Sequence, residues 1–475
     1  MLVLVDNNAR YRVYKILMQP RQYDLMPPMI ITSKATINIM YSILPHRHLL
    51  YTCRQMWWAI FIFLLAIPGY AENRFDIHLS GFGTAGFAIS DQDFIYQRFI
   101  DDGGTLQRDS VIGIQLDAQF NDTWGLTLQT KGAASGHDEG WEPTLSWAFL
   151  SWRPSNDWLL RAGKLRLPLM HYSANSDVGM TFDFARLPIE VYSLMPTTDV
   201  TGLAFSKTWF NQQQELTLES YLGQAHTDWR YFIRENSPPF TTGPMYIGVD
   251  LDMIGLSLSL HNANENTWHI GLHRANLNSD YGDLPSDYPF VQIMPGVGYY
   301  QMDSNFPGPG VPTASELHIY VFTIGAEINL PYDSQLIAEY GRRRITNATM
   351  GPDTSAAYLA LKKTIGHWTS YLYWSGIRTD GPVLDLYVAI ENNRVPDFIP
   401  EAAMINASQR IGADLLGAFD QHSWAIGASY TLSPTSKLKA EWLYTRTGEV
   451  SSFIDSQDSR GQDIHVFSLS YSFLF

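Results

Sequence analysis

The sequence holds one cysteine, Cys53, in 475 residues, and only 17% of its side chains are charged. A lone thiol makes no internal disulfide. Leu50-Tyr-Thr-Cys53 also lacks the small residues and the preceding apolar core of a lipidation site. Outside the N-terminal region no apolar run is long enough to cross a bilayer as a helix. Neither G-x-S-x-G nor H-E-x-x-H occurs, so two common signatures of nucleophilic and zinc hydrolases are missing. Basic residues are scarce as well, with 32 Lys and Arg against 47 Asp and Glu.

What is abundant is aromatic: 26 Tyr, 24 Phe and 14 Trp. Residues 56–71 combine a short apolar core, a preceding Arg54, and Gly69 and Ala71 at signal-peptidase spacing, which predicts an export leader cleaved after Ala71. A membrane anchor is the competing reading, but the core is short for one. Residues 1–55 show no pattern and read as an unstructured extension or a misplaced start, with Met40 and Met56 as alternatives. Cleavage would remove seven Lys and Arg and two Asp and Glu, leaving 25 against 45. An excess of about 20 negative charges argues against a nucleic-acid partner. Cys53 would leave with the leader, so residues 72–475 carry no thiol.

From Phe75 onward the chain alternates with period 2. Ile77, Leu79 and Phe87 face one way and His78, Ser80 and Thr84 the other; Ile112, Ile114 and Leu116 alternate with Gln115, Asp117 and Gln119. Further strands are predicted at 124–131, 144–153, 158–167, 201–209, 214–222, 249–260, 267–277, 317–330, 335–344, 355–364, 368–377, 421–432 and 436–444. The last, 466–475, carries Phe467, Leu469, Tyr471, Phe473 and Phe475 on one face and mostly serine on the other. Short connections such as 121–123, 211–213 and 331–333 alternate with long ones. This predicts an all-β, closed antiparallel transmembrane barrel of about 16 strands, with 18 possible if Val383 to Ile390 is another strand. Phe120, Trp124, Trp152, Trp158, Trp209, Trp268, Trp368 and Phe475 would gather at the short-turn end as one aromatic girdle.

The terminal strand closing on Phe475, behind an export leader, resembles outer-membrane β-barrel proteins of Gram-negative bacteria. Their assembly machinery reads such an aromatic strand, so Phe467, Leu469, Tyr471, Phe473 and Phe475 are the implied assembly signal. The hairpin layout of 75–475 resembles the trimeric porins of those membranes. Trp147 to Pro154, followed by Leu160 to Pro168, is similar to a strand-turn-strand segment of the porins that include phosphate-selective ones.

The resemblance implies periplasmic turns, external loops, lipid and lipopolysaccharide contacts, a homotrimer, no cofactor, and passive diffusion of small hydrophilic or charged solutes. It also implies that the third external loop, about 168–199, folds into the lumen and narrows it. Asp177, Asp183, Glu190 and Asp199 would then line a constriction, facing Lys164, Arg166 and Arg343 on the barrel wall. The bland alternative is a solvated outer loop whose acids keep it soluble. Strand parity places Glu339 and Arg343 inward, Arg342 and Arg344 at the rim, and leaves one of Arg161 and Lys164 in need of a bulge. Lys131, Lys363, Lys437 and Lys439 join the expected inward set, and the direction of ion preference stays open.

An outer-membrane enzyme is the rival class, which needs a nucleophile, a base and an orienting group together. His137, Asp138 and Glu139 form one such chance group, and His269 with His273 is weak as a metal pair on a strand. An adhesin without an open pore is the third reading. A plugged active transporter is disfavoured, because only a few residues separate Ala71 from the first strand.

Overall fold

The computed structural model describes residues 76–134, 140–236 and 240–475, with two short paired strands at Leu2–Val5 and Tyr11–Tyr14. The expected leader, 56–71, lies outside the described residues, as does the group at 137–139. Sixteen antiparallel strands close into one barrel. They are β1 (Asp76–Ser90), β2 (Val111–Gln119), β3 (Trp124–Ala134), β4 (Trp141–Ser155), β5 (Trp158–Arg166), β6 (Asp199–Phe210), β7 (Gln214–Ile233) and β8 (Gly243–Asn262). The second half comprises β9 (Thr267–Ser279), β10 (Leu317–Leu330), β11 (Ser334–Ile345), β12 (Thr354–Ile365), β13 (Trp368–Thr379), β14 (Phe419–Ser433), β15 (Ser436–Ser451) and β16 (Asp463–Leu474). Each pairs with its sequence neighbour, and β16 closes the ring on β1 from Val466↔Ser90 to Leu474↔Phe82.

Alternation sorts the two faces. On β16 Phe467, Leu469 and Tyr471 are exposed outward, whereas Ser468, Ser470 and Ser472 are buried inward. The exposed set repeats around the ring as Leu79, Ile114, Leu203, Leu222, Ile254, Leu272, Leu359 and Ile426, an apolar belt that only a bilayer would cover without cost. The belt stops where polarity returns. Beyond Leu222 and Ile254, the outward positions of β7 and β8 become Gln224, His226, Asp250 and Asp252, joined by Gln224–Asp252 and His226–Asp250 hydrogen bonds of 2.8 and 2.9 Å. At the opposite edge lie the expected aromatics: Trp124 stacks on Trp152 at 5.8 Å and Trp368 packs on Tyr430 at 4.7 Å.

The short turns are built by asparagine. Asn121 Oδ1 accepts from the amides of Thr123 and Trp124, Asn211 Oδ1 from Gln213 and Gln214, and Asn262 Oδ1 from Asn264 and Asn266. Side-chain capping of this kind satisfies amides that no neighbouring strand reaches.

Val383 to Ile390 is not a seventeenth strand. It belongs to helix α2 (Gly381–Asn392), which follows the single helical turn α1 (Ile189–Tyr192) and precedes α3 (Ala402–Leu415). Pro382 starts α2, and Val383, Leu384, Tyr387 and Ile390 share one buried stripe at helical spacing. With Ala413, Leu416, Tyr288 and Met350, the side chains of Leu384, Tyr387 and Ile390 form a small core at the long-loop end, to which Arg234 is tied by its 2.5 Å pair with Asp414.

One break in the wall matters below. Residues 141–147 of β4 pair with β3 alone, because the β4–β5 ladder begins only at Ala148↔Lys164. At the parting point Gly163 has φ +135°, and a Cβ there would overlap the Ala148 carbonyl oxygen. Gly163→Ala is therefore expected to cost about 1–3 kcal/mol. An unchanged urea midpoint for the refolded barrel would overturn that expectation.

Candidate functional site in the barrel lumen

The third long loop, 167–198, leaves β5 and returns to β6 through a closed neck. Leu167 N donates to Thr198 O at 2.8 Å, and Leu165, Leu167 and Val200 are buried. Pro168 ends the strand, and the loop then winds through a 3-10 turn at Gly179–Thr181 and the α1 turn after Pro188. Its side chains meet the inner wall on the far side of the barrel.

Phe184, fully buried, is the apolar anchor. It packs edge-on against Tyr371, Tyr373 and Tyr358 of β13 and β12 at 5.1, 5.5 and 6.3 Å, and the Ala185 amide donates to Tyr371 Oη at 3.0 Å. Gly179 lies so close to β1 and β16 that a Cβ would come within 2.6 Å of Thr84 Oγ1. Arg186 reaches Asp109 of the first loop through Nε at 2.7 Å and Nη2 at 2.5 Å, and Ser468 of β16 at 3.2 Å.

The carboxylates expected from sequence each have a definite place. Asp177 bonds Lys131 Nζ of β3 at 2.7 Å and Arg166 Nη1 at 2.7 Å. Asp183 is held between Lys362 Nζ at 3.0 Å and Lys437 Nζ at 2.8 Å, with Ser429 Oγ at 2.9 Å. Asp199 sits on β6 at the neck, where Arg166 Nε bonds it at 3.0 Å. Glu190, only 2% exposed, accepts from three neutral donors: Ser375 Oγ at 2.9 Å, Gln421 Nε2 at 2.9 Å and Ser423 Oγ at 2.5 Å. The acids therefore grip the wall directly instead of facing cations across a gap.

The expected basic wall is partly redistributed. Arg166 lies among the acids, yet Lys164 makes no ion pair with any of the four; it shares the outward parity of Leu160, and its register partner is Thr201. Arg161 is the inward cation of β5, bonding Glu219 at 3.0 Å. Arg343 is buried as parity required, but it donates to the carbonyl oxygens of Leu194 and Pro352 at 3.3 and 3.2 Å, so it caps the loop backbone. Arg342 and Arg344 pair with Asp380 and Asp353 at the rim.

On β12 the inward lysine is Lys362 and not Lys363, whose Nζ turns back to the Tyr332 carbonyl at a short turn. Lys439, 2% exposed, donates to the carbonyl oxygens of Gly179 and Phe184 at 2.6 and 3.0 Å and lies 4.1 Å from the Phe182 ring centre. His171 completes the set: its Nε2 meets Glu327 at 2.5 Å and its amide donates to Glu339 at 2.6 Å. Nothing in the alternation marked His171, because it lies on the loop.

His269 and His273 do face inward, but their partners are Thr323 Oγ1 at 3.3 Å and Tyr221 Oη at 2.9 Å. Both histidines thus belong to a hydrogen-bonded wall.

No protein-family model matches the chain, and no curated protein matches its sequence. Among solved structures it is similar to an outer membrane channel, DcaP, of Acinetobacter baumannii (11% identity, TM-score 0.46, covering 86% of this chain and 100% of that one). It is also similar to an anion-selective porin from Comamonas acidovorans (10%, 0.47, 85% and 100%). A third is OmpT, an outer membrane protein of Vibrio cholerae, in a trimer form (10%, 0.46, 84% and 99%). At such identity no residue role transfers between the chains.

Asp183→Asn removes the acceptor between Lys362 and Lys437 and should loosen the loop, at a cost of about 3 kcal/mol at most because the cluster keeps some solvent contact. Trypsin cleavage after Arg186, shielded in the parent, should then become measurable. Combining Asp183→Asn with Lys362→Gln and Lys437→Gln should restore protection; equal cleavage in all three proteins would show that the ion pairs do not hold the loop.

Proposed function

We propose that the chain is an outer-membrane porin of a Gram-negative bacterium, a channel for small hydrophilic or charged solutes in which the third long loop sets the bore. The observation that carries this reading is the loop's position: it lies inside the ring and is bound to the inner wall on β1, β3 and β10–β16. A solvated outer loop would not bury Phe184 or Glu190. The membrane placement is supported by the apolar belt and the aromatic edge. A ring of sixteen strands is wide enough to leave an aqueous path where its interior is polar.

On this reading the leader 56–71 directs export, the short turns face the periplasm, and β16 is the strand that the barrel-assembly machinery reads. Assembly as a homotrimer in contact with lipid and lipopolysaccharide completes the proposal. Asp177, Asp183 and Glu190 sit at the constriction, Asp177 fixed by Lys131 and Arg166, Asp183 by Lys362 and Lys437, and Glu190 by Ser375, Gln421 and Ser423.

The test is the reversal potential of the folded protein in a planar bilayer under a salt gradient, compared with a variant carrying Asp177→Asn, Asp183→Asn and Glu190→Gln. Stepwise conductance that shifts towards anions in the variant is expected. Conductance with the same preference would remove the loop from the conducting path, whereas a folded barrel that never conducts would overturn the channel.

A further inference from the structure

At the long-loop end, the first loop carries a device that the constriction described above does not use. Ile95 and Tyr96 pair with Asp455 and Ile454 of the last loop in a two-stranded ribbon. Tyr96 and Ile100 then exchange backbone hydrogen bonds of 2.7 and 3.0 Å, so residues 97–99 form a tight tip. Two of the three are non-glycine residues with positive φ, Gln97 at 51° and Arg98 at 79°. Consecutive side chains rarely tolerate that backbone, and such strain persists only where the surroundings enforce it. Here they do: Gln97 N donates to Phe453 O at 2.9 Å, Gln97 Oε1 accepts from Arg186 Nη1 at 3.2 Å, and Tyr96 Oη is bonded to Thr445 at 3.1 Å.

The consequence is the placement of Arg98. It lines a hollow of about 650 Å³ with Phe99, Arg230, Phe232, Tyr246 and Asp455. Arg230 is already paired with Asp455. Arg98 makes no hydrogen bond or ion pair among the described residues and stays solvent-accessible. Its guanidinium is held below the ordinary pKa, by desolvation first and then by the charge of Arg230. Asp455 and the exposed Asp93 share the lining, but Asp455 is engaged by Arg230, which leaves the guanidinium of Arg98 for an incoming anion.

We propose that this hollow binds an aromatic carboxylate, whose carboxyl group takes the free fork of Arg98 while its ring lies among Phe99, Phe232 and Tyr246. The volume suits one small molecule, and the lining sets the aromatic rings of Phe94, Phe99, Phe232 and Tyr246 beside the charged groups. Guanidinium matches a carboxylate in two parallel hydrogen bonds. Inorganic phosphate would use the arginines but leave the aromatic lining idle. The site needs no open lumen, so it can be tested apart from conductance.

The experiment is isothermal titration of the full chain, purified folded from membranes in detergent, with benzoate as the probe. Saturable binding is expected, with acetate, benzyl alcohol and phosphate each about tenfold weaker or worse. Arg98→Gln should weaken benzoate about tenfold, the loss of one charge-assisted contact. Arg98→Gly should lose the same affinity while melting no lower than the parent, because glycine adopts this φ freely; that pairing separates binding from a structural role. The proposal is overturned if benzoate gives no saturable heat at millimolar concentration, if either variant binds like the parent, or if phosphate binds as tightly as benzoate.

Discussion

The structure depends on one constraint: inside a bilayer every backbone amide and carbonyl must find its partner within the protein. β16 meets that demand by pairing with β1, and the Phe475 and Gly81 backbones exchange hydrogen bonds of 3.0 and 2.8 Å at the seam. Closure then dictates the rest. With no edge, every strand has one face to lipid and one to the interior, so a period-2 pattern becomes a code for inside and outside. Glycine opposite the terminal aromatics belongs to the same economy: a Cβ at Gly83 would strike the Phe473 ring, which lies across β1 on the outer face.

Inside the ring, burial changes what a charge can do. A charged group taken from water needs a partner close by. The loop supplies carboxylates and the wall supplies lysines, and the Asp177 and Asp183 clusters are that exchange. Glu190 and Arg343 show the other solution. Each is deeply buried and bonded to neutral groups, hydroxyls and an amide for the acid, carbonyl oxygens and a hydroxyl for the base. Both solutions stitch the loop to strands far from its own neck.

Much of the fold was legible because alternation is a local property. Leu79, Ile114 and Phe467 announce their face from two neighbours on either side, and asparagine at 121, 211 and 262 marks the turns by chemistry that acts within four residues. The lumen was less legible, for reasons of the same kind. Lys362 and Lys363 are adjacent, and the inward one is Lys362, because Lys363 shares the outward parity of Leu359 and Leu361. Lys164 and Arg166 share one parity, yet Arg166 turns to the acids just past the point where β5 parts from β4. Val383 to Ile390 is apolar enough for a strand, and its helix is set by Pro382 and by the core it joins. The loop itself was recognised by length and lost periodicity; its contacts depend on tertiary closure, which no local pattern encodes.

The distances along the chain between the loop and its anchors have a temporal meaning. Gly179 waits for Lys439, Arg186 for Ser468, and Glu190 for Ser423, separations of 260, 282 and 233 residues. Contacts of such span form late, since the intervening chain must first be ordered. The ring can be completed with the loop still outside it, but the loop cannot dock before the last strands exist. In the channel proposed above, the bore would thus be the final part of the molecule to take shape, and a barrel halted just after closure would present its widest opening.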